Sequence, residues 1–312
     1  MKKLLLVIVA IVLAFNVSAQ EILKREMRTV WIATVSNIDW PQTKGTGTST
    51  INKQKKQLTD MLDGFAATNM NGVCLQVRPM ADALYKSSYE PWSSYITGTR
   101  GQDPGWDPLA FAVEECHKRG IDCHAWVNPY RFSNSGGRDC NTAQDQALKN
   151  SNILMAVGDR VVFNPGLKAS RERLLNVCRE MIENYDIDGI IFDDYFYPSG
   201  GTPEDSSAPD YDLWRNSGTS MTIGDWRRAN VNLMVKEMYD MVQETKPYVK
   251  FAIGPAGASC SDSNVARRHG IDPLSKYCRA SDWQYNQIYS DCVQWLEDGT
   301  IDYISPQLYW KT

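Results

Sequence analysis

The sequence predicts a (β/α)8 barrel of the TIM type, an α/β fold, and three observations carry that expectation. Six short β-rich runs alternate with segments of helical period, helix-to-strand links are short, and strand-to-helix links are long and polar. Parallel strands joined by crossover helices produce this rhythm. The asymmetry gives it a direction, because the loops leaving strand C-terminal ends carry the site in such barrels while the opposite turns hold the scaffold.

The expected strands are RTVWIATV from Arg28, GVCLQVRP from Gly72, DCHAWVNP from Asp122, GIIFDDYF from Gly189, KFAIGPAG from Lys250 and DYISPQLYW from Asp302. Between the first two, the segment from Ile51 to Asn69 puts Leu58, Met61, Leu62 and Phe65 on one helical stripe. The next helix has Asp107 as its cap, Pro108 in its first turn and Gly120 past its end. Leu174, Leu175, Cys178, Met181 and Ile182 form a third stripe, and Met234, Met238, Met241 and Val242 a fourth. Ile288, Cys292, Val293 and Leu296, closed by Gly299, suggest a fifth. All of these read as core packing.

The short links run from Lys118 to Ile121, Glu244 to Val249 and Asp298 to Ile301; the long ones run from Ser133 to Asp159, Pro198 to Gly224 and Gly257 to Ser281. A doubly wound sheet shares the rhythm, but Gly200 and Gly201 lack a strand-GxGxxG-helix setting, so no nucleotide site is expected. Thr312 follows directly on the sixth strand, so the expectation is a barrel truncated by two units, with no internal repeat to supply them.

Residues 1–19 join two lysines to an apolar run and end in Val17-Ser18-Ala19, the pattern of a signal peptide. The apolar run is short for a membrane span, so the expectation is a cleaved leader, a barrel over 20–312, and export to the periplasm or outside the cell. A net charge of -4 without a basic cluster argues against nucleic acid as the partner. The eight cysteines are widely spaced. Cys74 and Cys123 lie in apolar strands and read as buried thiols, while Cys260 and Cys278 flank a polar segment and form the best candidate bridge. The only histidines are His117, His124 and His269, none at ligand spacing from a cysteine pair, so neither a metal nor another cofactor is expected.

The chemistry concentrates on the fourth strand, where Gly189, Ile190, Ile191 and Phe192 give way to Asp193 and Asp194. An apolar strand ending in two carboxylates places charge at a barrel mouth. Alternation sends the two aspartates to different sides, and periodicity does not choose which faces the axis. Glycoside hydrolysis needs two carboxyl groups, one protonated and one ionised, and adjacent residues rarely supply both. The second is therefore sought in Glu90, with Asp82 and Asp39 as reserves. Arg78, Asn128, Tyr130, Arg131, Gln307 and Tyr309 stand at other strand ends, with Asn37, Trp40 and Trp310 nearby, and supply hydrogen-bonding groups and aromatic faces suited to sugars. Trp92, Tyr130 and Tyr195 are the candidate platforms. By parity Arg78 shares the barrel interior with Gln76, His124 and Trp126, where it can ion-pair with the aspartates.

Five segments, RTVWIATVSNIDWP, LQVRPMADALYKSSYEPWSSYITG, DPLAFAVEECHKRGIDCHAWVNPYR, IDGIIFDDYFYP and IDYISPQLYW, resemble the bacterial glycosyl-hydrolase-like family 10. The resemblance implies an envelope barrel enzyme acting on amino-sugar glycans, such as peptidoglycan strands stripped of their peptides or a related polysaccharide. It matches Asp193 and Asp194 to the family's acidic motif, and Arg78, Glu90, Asn128, Arg131 and Gln307 to its other strand-end positions. Two alternatives stay open: a glycan-binding barrel without catalysis, and a metal-dependent deacetylase built on His124 and the aspartates.

Overall fold

The computed structural model describes residues 26–198, 200–257, 267, 270 and 283–309. Among them the strands, in chain order, are β1 (Thr29–Ile32), β2 (Gly72–Arg78), β3 (Asp122–Val127), β4 (Arg131–Ser133), β5 (Leu154–Val157), β6 (Arg160–Phe163), β7 (Gly189–Phe192), β8 (Lys250–Ile253) and β9 (Tyr303–Ile304). Six of these form one parallel sheet in the order β1-β2-β3-β7-β8-β9, so neighbours in sequence are neighbours in space. The sheet curls into a half-barrel, and each expected strand stands where its β-rich run lies.

The helices are α1 (Thr48–Ala67), α2 (Ser94–Thr97), α3 (Pro108–His117), α4 (Ala143–Lys149), α5 (Lys168–Asn184), α6 (Tyr211–Asn216), α7 (Ile223–Thr245) and α8 (Cys292–Glu297). Asp107 caps α3 by accepting from Ala110 N at 3.0 Å, with Pro108 in the first turn as expected. Two layers of packing follow from strand alternation. Val73, Leu75, Ile190, Phe192, Phe251 and Ile253 face outward onto Leu58, Leu62, Leu174, Cys178, Met181, Met234 and Met238 of the helices. Burying each such side chain contributes about 1.5–3 kcal/mol. The opposite face encloses Cys74, Ile191 and Ala252, with Trp31, Trp126 and Tyr303 packed around them.

Three expectations change. The fifth stripe is not one helix: Ile288 closes a wide turn by donating to Trp283 O, α8 begins only at Cys292, and it buries Trp295 while Leu296 is 51% exposed. The excursion from Ser133 is not a bare loop. With Arg131 it builds a second sheet, β4-β6-β5, antiparallel and turned at Gly158-Asp159. The excursion from Pro198 carries α6, whose Leu213 packs with Ala208, Ile223 and Trp226. Cys74, Cys116, Cys123, Cys140, Cys178 and Cys292 are buried free thiols. Cys260, Cys278, His269, Trp310 and the leader lie outside the described residues.

Candidate active site

A cavity of about 610 Å³ opens at the C-terminal ends of the barrel strands. Its base is the pair Trp31 and Trp126, whose rings meet edge to face with centroids 4.8 Å apart. Trp31 fits because Gly254 lies against it; a Cβ there would sit 2.9 Å from the indole. Gln76, Arg131, Asp193, Asp194, Tyr195, Gln307 and Tyr309 complete the polar and aromatic lining.

Asp193 continues the inward parity of Ile191 and faces the axis. Asp194 reaches the same cavity, contrary to the expected split, because regular strand ends at Phe192. The chain turns there, with Phe196 N donating to Asp194 O at 3.1 Å, and alternation no longer applies.

An amide relay crosses the barrel to Asp193. Gln76 Oε1 accepts from Thr34 N at 2.9 Å and Val35 N at 2.8 Å, fixing which end of its amide is the donor. Gln76 Nε2 then donates to Asn128 Oδ1 at 2.6 Å, and Asn128 Nδ2 donates to Asp193 Oδ2. Each link orients the next, so the lone pairs of Asp193 are met by a donor of fixed direction.

Burial raises both carboxyls, and they differ in the neighbours that oppose it. Burial raises Asp193 above the usual carboxylate range, but the Arg131 charge, the Tyr195 N–H and Asn128 all favour its ionised form. Asp194 is pushed up to about 7 by burial and then by the charge of Asp193, opposed by hydrogen bonding from Gln307 and by Arg131. Its Oδ1 is buried without a hydrogen-bond partner, which suits a group that keeps its proton. Arg131 stands over the Tyr195 ring, 5.1 Å from its centroid, and biases both carboxyls without pairing with either among the described residues. Gln307 is held by donating from Nε2 to Gly254 O at 2.8 Å. Tyr309 is 85% exposed and forms the rim.

Several expected site residues lie elsewhere. Glu90 is sealed in a separate cluster, its Oε1 2.9 Å from Arg78 Nη2 and 3.3 Å from Arg173 Nη2. Arg78 departs from the interior parity because β2 carries a bulge: Gln76 pairs with Trp126 but Arg78 with Val127, leaving Val77 as the extra residue. Its guanidinium therefore meets Glu90, the Phe163 ring and Asn128 O rather than the aspartates. Asp82 pairs with Arg100 at 3.2 Å beside a smaller cavity, and Asp39 accepts from Ala33 N, bracing the turn after β1. Tyr130 is fully buried with its hydroxyl unpartnered, Trp40 is core, and the half-buried Trp92 does not line the cavity.

His124 is at the other end of the strands. It pairs in register with Gly189, four residues before Asp193, a rise of about 13 Å. Its ring fills the space a Cβ at Gly189 would take, its Nδ1 lies 2.9 Å from the Tyr303 hydroxyl, and burial lowers it to about 4. The geometry thus does not assemble the His124-aspartate set that a deacetylase would use. No group of three or more His, Cys, Asp or Glu suited to a metal occurs among the described residues.

Sequence reasoning passed over Trp31 and Arg160. Trp31 was legible, since Thr29, Trp31 and Ala33 alternate with Val30 and Ile32. Arg160 was legible from a hairpin, two β-rich runs around Gly158-Asp159.

Carboxyls set on a scaffold of amides, with indole and phenol rings around them at the strand C-termini, characterise a barrel protein built for polyhydroxylated ligands. Comparison with known proteins narrows this class to one family. The model of the Glycosyl hydrolase-like 10 family matches residues 26–312, and the chain belongs to that family. It is 40% identical over 291 residues to Glycosyl hydrolase YngK of Bacillus subtilis (strain 168), covering 92% of this chain and 54% of the relative. It is 35% identical over 298 residues to Glycosyl hydrolase DigH of Escherichia coli (strain K12), covering 91% of this chain and 65% of the relative. The chain thus spans between half and two thirds of these relatives. The PgaB (BpsB) glycoside hydrolase domain from Bordetella bronchiseptica has the same fold, with a TM-score of 0.51 at 12% identity over 90% of this chain and 73% of that one.

Proposed function

We propose that the chain hydrolyses glycosidic bonds in amino-sugar glycans of the cell envelope, with Asp194 as general acid and Asp193 as its ionised partner. The observation that carries this reading is the pair of buried, neighbouring carboxyls lining one cavity at the strand C-terminal ends, Asp194 pushed up to about 7 and Asp193 met by the Asn128 amide and the Arg131 charge. Asp194, pushed up to about 7, keeps a protonated fraction at neutral pH and delivers that proton to the leaving oxygen. Asp193, whose ionised form Arg131 and Asn128 favour against burial, faces the positive charge that develops on the sugar ring. The aromatic floor and rim offer flat surfaces to ring C–H groups, and the cavity is of the size that encloses a small ligand. Named glycosyl hydrolases among the relatives support the reaction class.

The residue 1–19 pattern supports export, which would bring the protein to envelope glycans. Among the described residues no helix is long and apolar enough to cross a membrane. The direct test is release of reducing ends from peptide-free glycan strands. The proposal expects turnover by the native protein and its loss in both Asp193→Asn and Asp194→Asn; full turnover in both variants overturns it. Sequencing the N-terminus of the secreted form tests export, with Gln20 expected as the first residue.

A further inference from the structure

The hydrogen bond from Asn128 to Asp193 has a polarity, and the turn after β1 sets it from a distance. The backbone of Asn128 is held on both sides: its N–H donates to Arg78 O at 2.9 Å, and its carbonyl accepts from Arg78 Nη1 at 2.6 Å. Its side-chain amide retains one binary choice, to turn Nδ2 or Oδ1 toward Asp193. The first offers the carboxylate a donor; the second sets a lone pair against it. The neighbour on the far side of the amide decides, and that neighbour is Gln76, fully buried and itself an amide.

Gln76 has no such choice. The N–H groups of Thr34 and Val35 converge on it at 2.9 Å and 2.8 Å, and a backbone N–H can only donate, so the atom facing them is an oxygen. Nε2 is then left for Asn128, whose facing atom must be its oxygen, and Nδ2 is left for Asp193. The turn itself is strapped: Thr34 Oγ1 donates to Gln76 O at 2.8 Å, and the Asp39 carboxylate accepts from Ala33 N at 2.8 Å. The charged and titratable groups around Asp193 are Asp194 and Tyr195 on its own segment, Arg131 of β4 and Tyr309 at the rim.

We propose that Gln76 is a positioning residue for Asp193 that acts only through Asn128, so that the Thr34-Val35 turn dictates which end of the Asn128 amide the carboxylate meets; as a contribution to turnover this rests on the glycosidase reading above. The positioning is directional rather than steric. A side chain of similar size without an amide keeps the packing, loses the polarity and frees Asn128 to present either end.

The test follows the Asp193 carboxyl by carbon NMR as pH is varied, its signal assigned by its absence in Asp193→Asn, and needs no substrate. Gln76→Met nearly keeps the volume and removes the amide. We expect the Asp193 midpoint to rise by about one pH unit, because the ionised form loses a donor of fixed direction. Asn128→Ala should raise it by at least as much, and Gln76→Met added to Asn128→Ala should raise it no further. A midpoint unmoved by Gln76→Met, or a rise that adds in full to that of Asn128→Ala, overturns the proposal; a packing role alone would lower stability and leave the midpoint in place. If Gln76→Met does not fold, Gln76→Glu replaces it, since its carboxylate keeps an oxygen for both N–H groups but offers Asn128 an acceptor. The rise should then exceed about one unit and be smaller in the Asn128→Ala background. An equal rise in both backgrounds would mean a charge acting directly through space, and the relay would fall.

Turnover supplies the second readout. On peptide-free glycan strands the acid limb of kcat should move up with the NMR midpoint in each variant, while KM stays within about twofold. A change carried by KM assigns Gln76 to holding the sugar and overturns the positioning role. If the native protein cleaves nothing, the hydrolase reading fails while the NMR comparison still decides the role of Gln76.

Discussion

Glu90 and Asp194 are buried carboxyl groups on loops at the same barrel face, and the protein holds them in opposite ways. Glu90 has guanidinium groups 2.9 Å and 3.3 Å away, so its charge is neutralised where it stands. Asp194 has the opposite neighbour, a second carboxyl, and one oxygen with no partner. One arrangement ties a loop down through Arg78 to the backbone of Asn128; the other leaves a proton poised to move. Burial raises an acid, and the sign of the nearest charge then decides whether that rise survives: Asp193 adds to it at Asp194, whereas two guanidinium groups face Glu90.

The sharpest way to break this comparison is to remove each charge in turn. Asp194→Asn should reduce turnover by about 10²–10⁴-fold while the protein stays folded, as the loss of a general acid does. Glu90→Gln should do the reverse: it leaves Arg78 and Arg173 without their buried counter-charge and costs about 3–5 kcal/mol of stability, read from urea unfolding. Equal stability of native and Glu90→Gln protein would falsify the structural role of that cluster.

A gentler test varies pH. If Asp194 must be protonated to act, kcat/KM falls about tenfold per unit as pH rises past about 7. The same group has a signed effect on stability. The unfolded chain releases this proton at about 3.9 whereas the folded protein keeps it to about 7, so stability declines between those values and the penalty is complete above them. Asp194→Asn is therefore expected to be more stable than the native protein at pH 8, by roughly 1–4 kcal/mol, and a melt at pH 8 that shows no gain would count against the raised value. Smallest is the effect of the relay: Asn128→Ala removes one donor from Asp193 and should lower kcat about tenfold. A loss carried wholly by KM would place Asn128 in binding instead.

Much of the scaffold was legible because it rests on periodicity. GIIF reads as a buried strand and is one, and the Asp107-Pro108 start of α3 is local capping chemistry that needs no tertiary context. The acidic pair was legible for a related reason, since charge at the end of an apolar run has few structural uses. What failed depended on contacts across space. The placement of Glu90 depends on Arg173, 83 positions further along the chain, and no spacing rule reveals that ion pair. The split of Asp193 from Asp194 assumed that the strand continued, but it ends one residue earlier. The sheet β4-β6-β5 was hidden by reading a polar stretch as loop, although VGDRVV carries a hairpin's signature.

The bulge in β2 sets which of its side chains can reach the cavity. Val77 is one extra residue, and it decides that Gln76 lies inside the barrel while Arg78 lies outside. Were the strand to run on without the bulge, the same residues would alternate regularly and Arg78 would point inward, so the bulge keeps a permanent cation away from the relay that ends on Asp193.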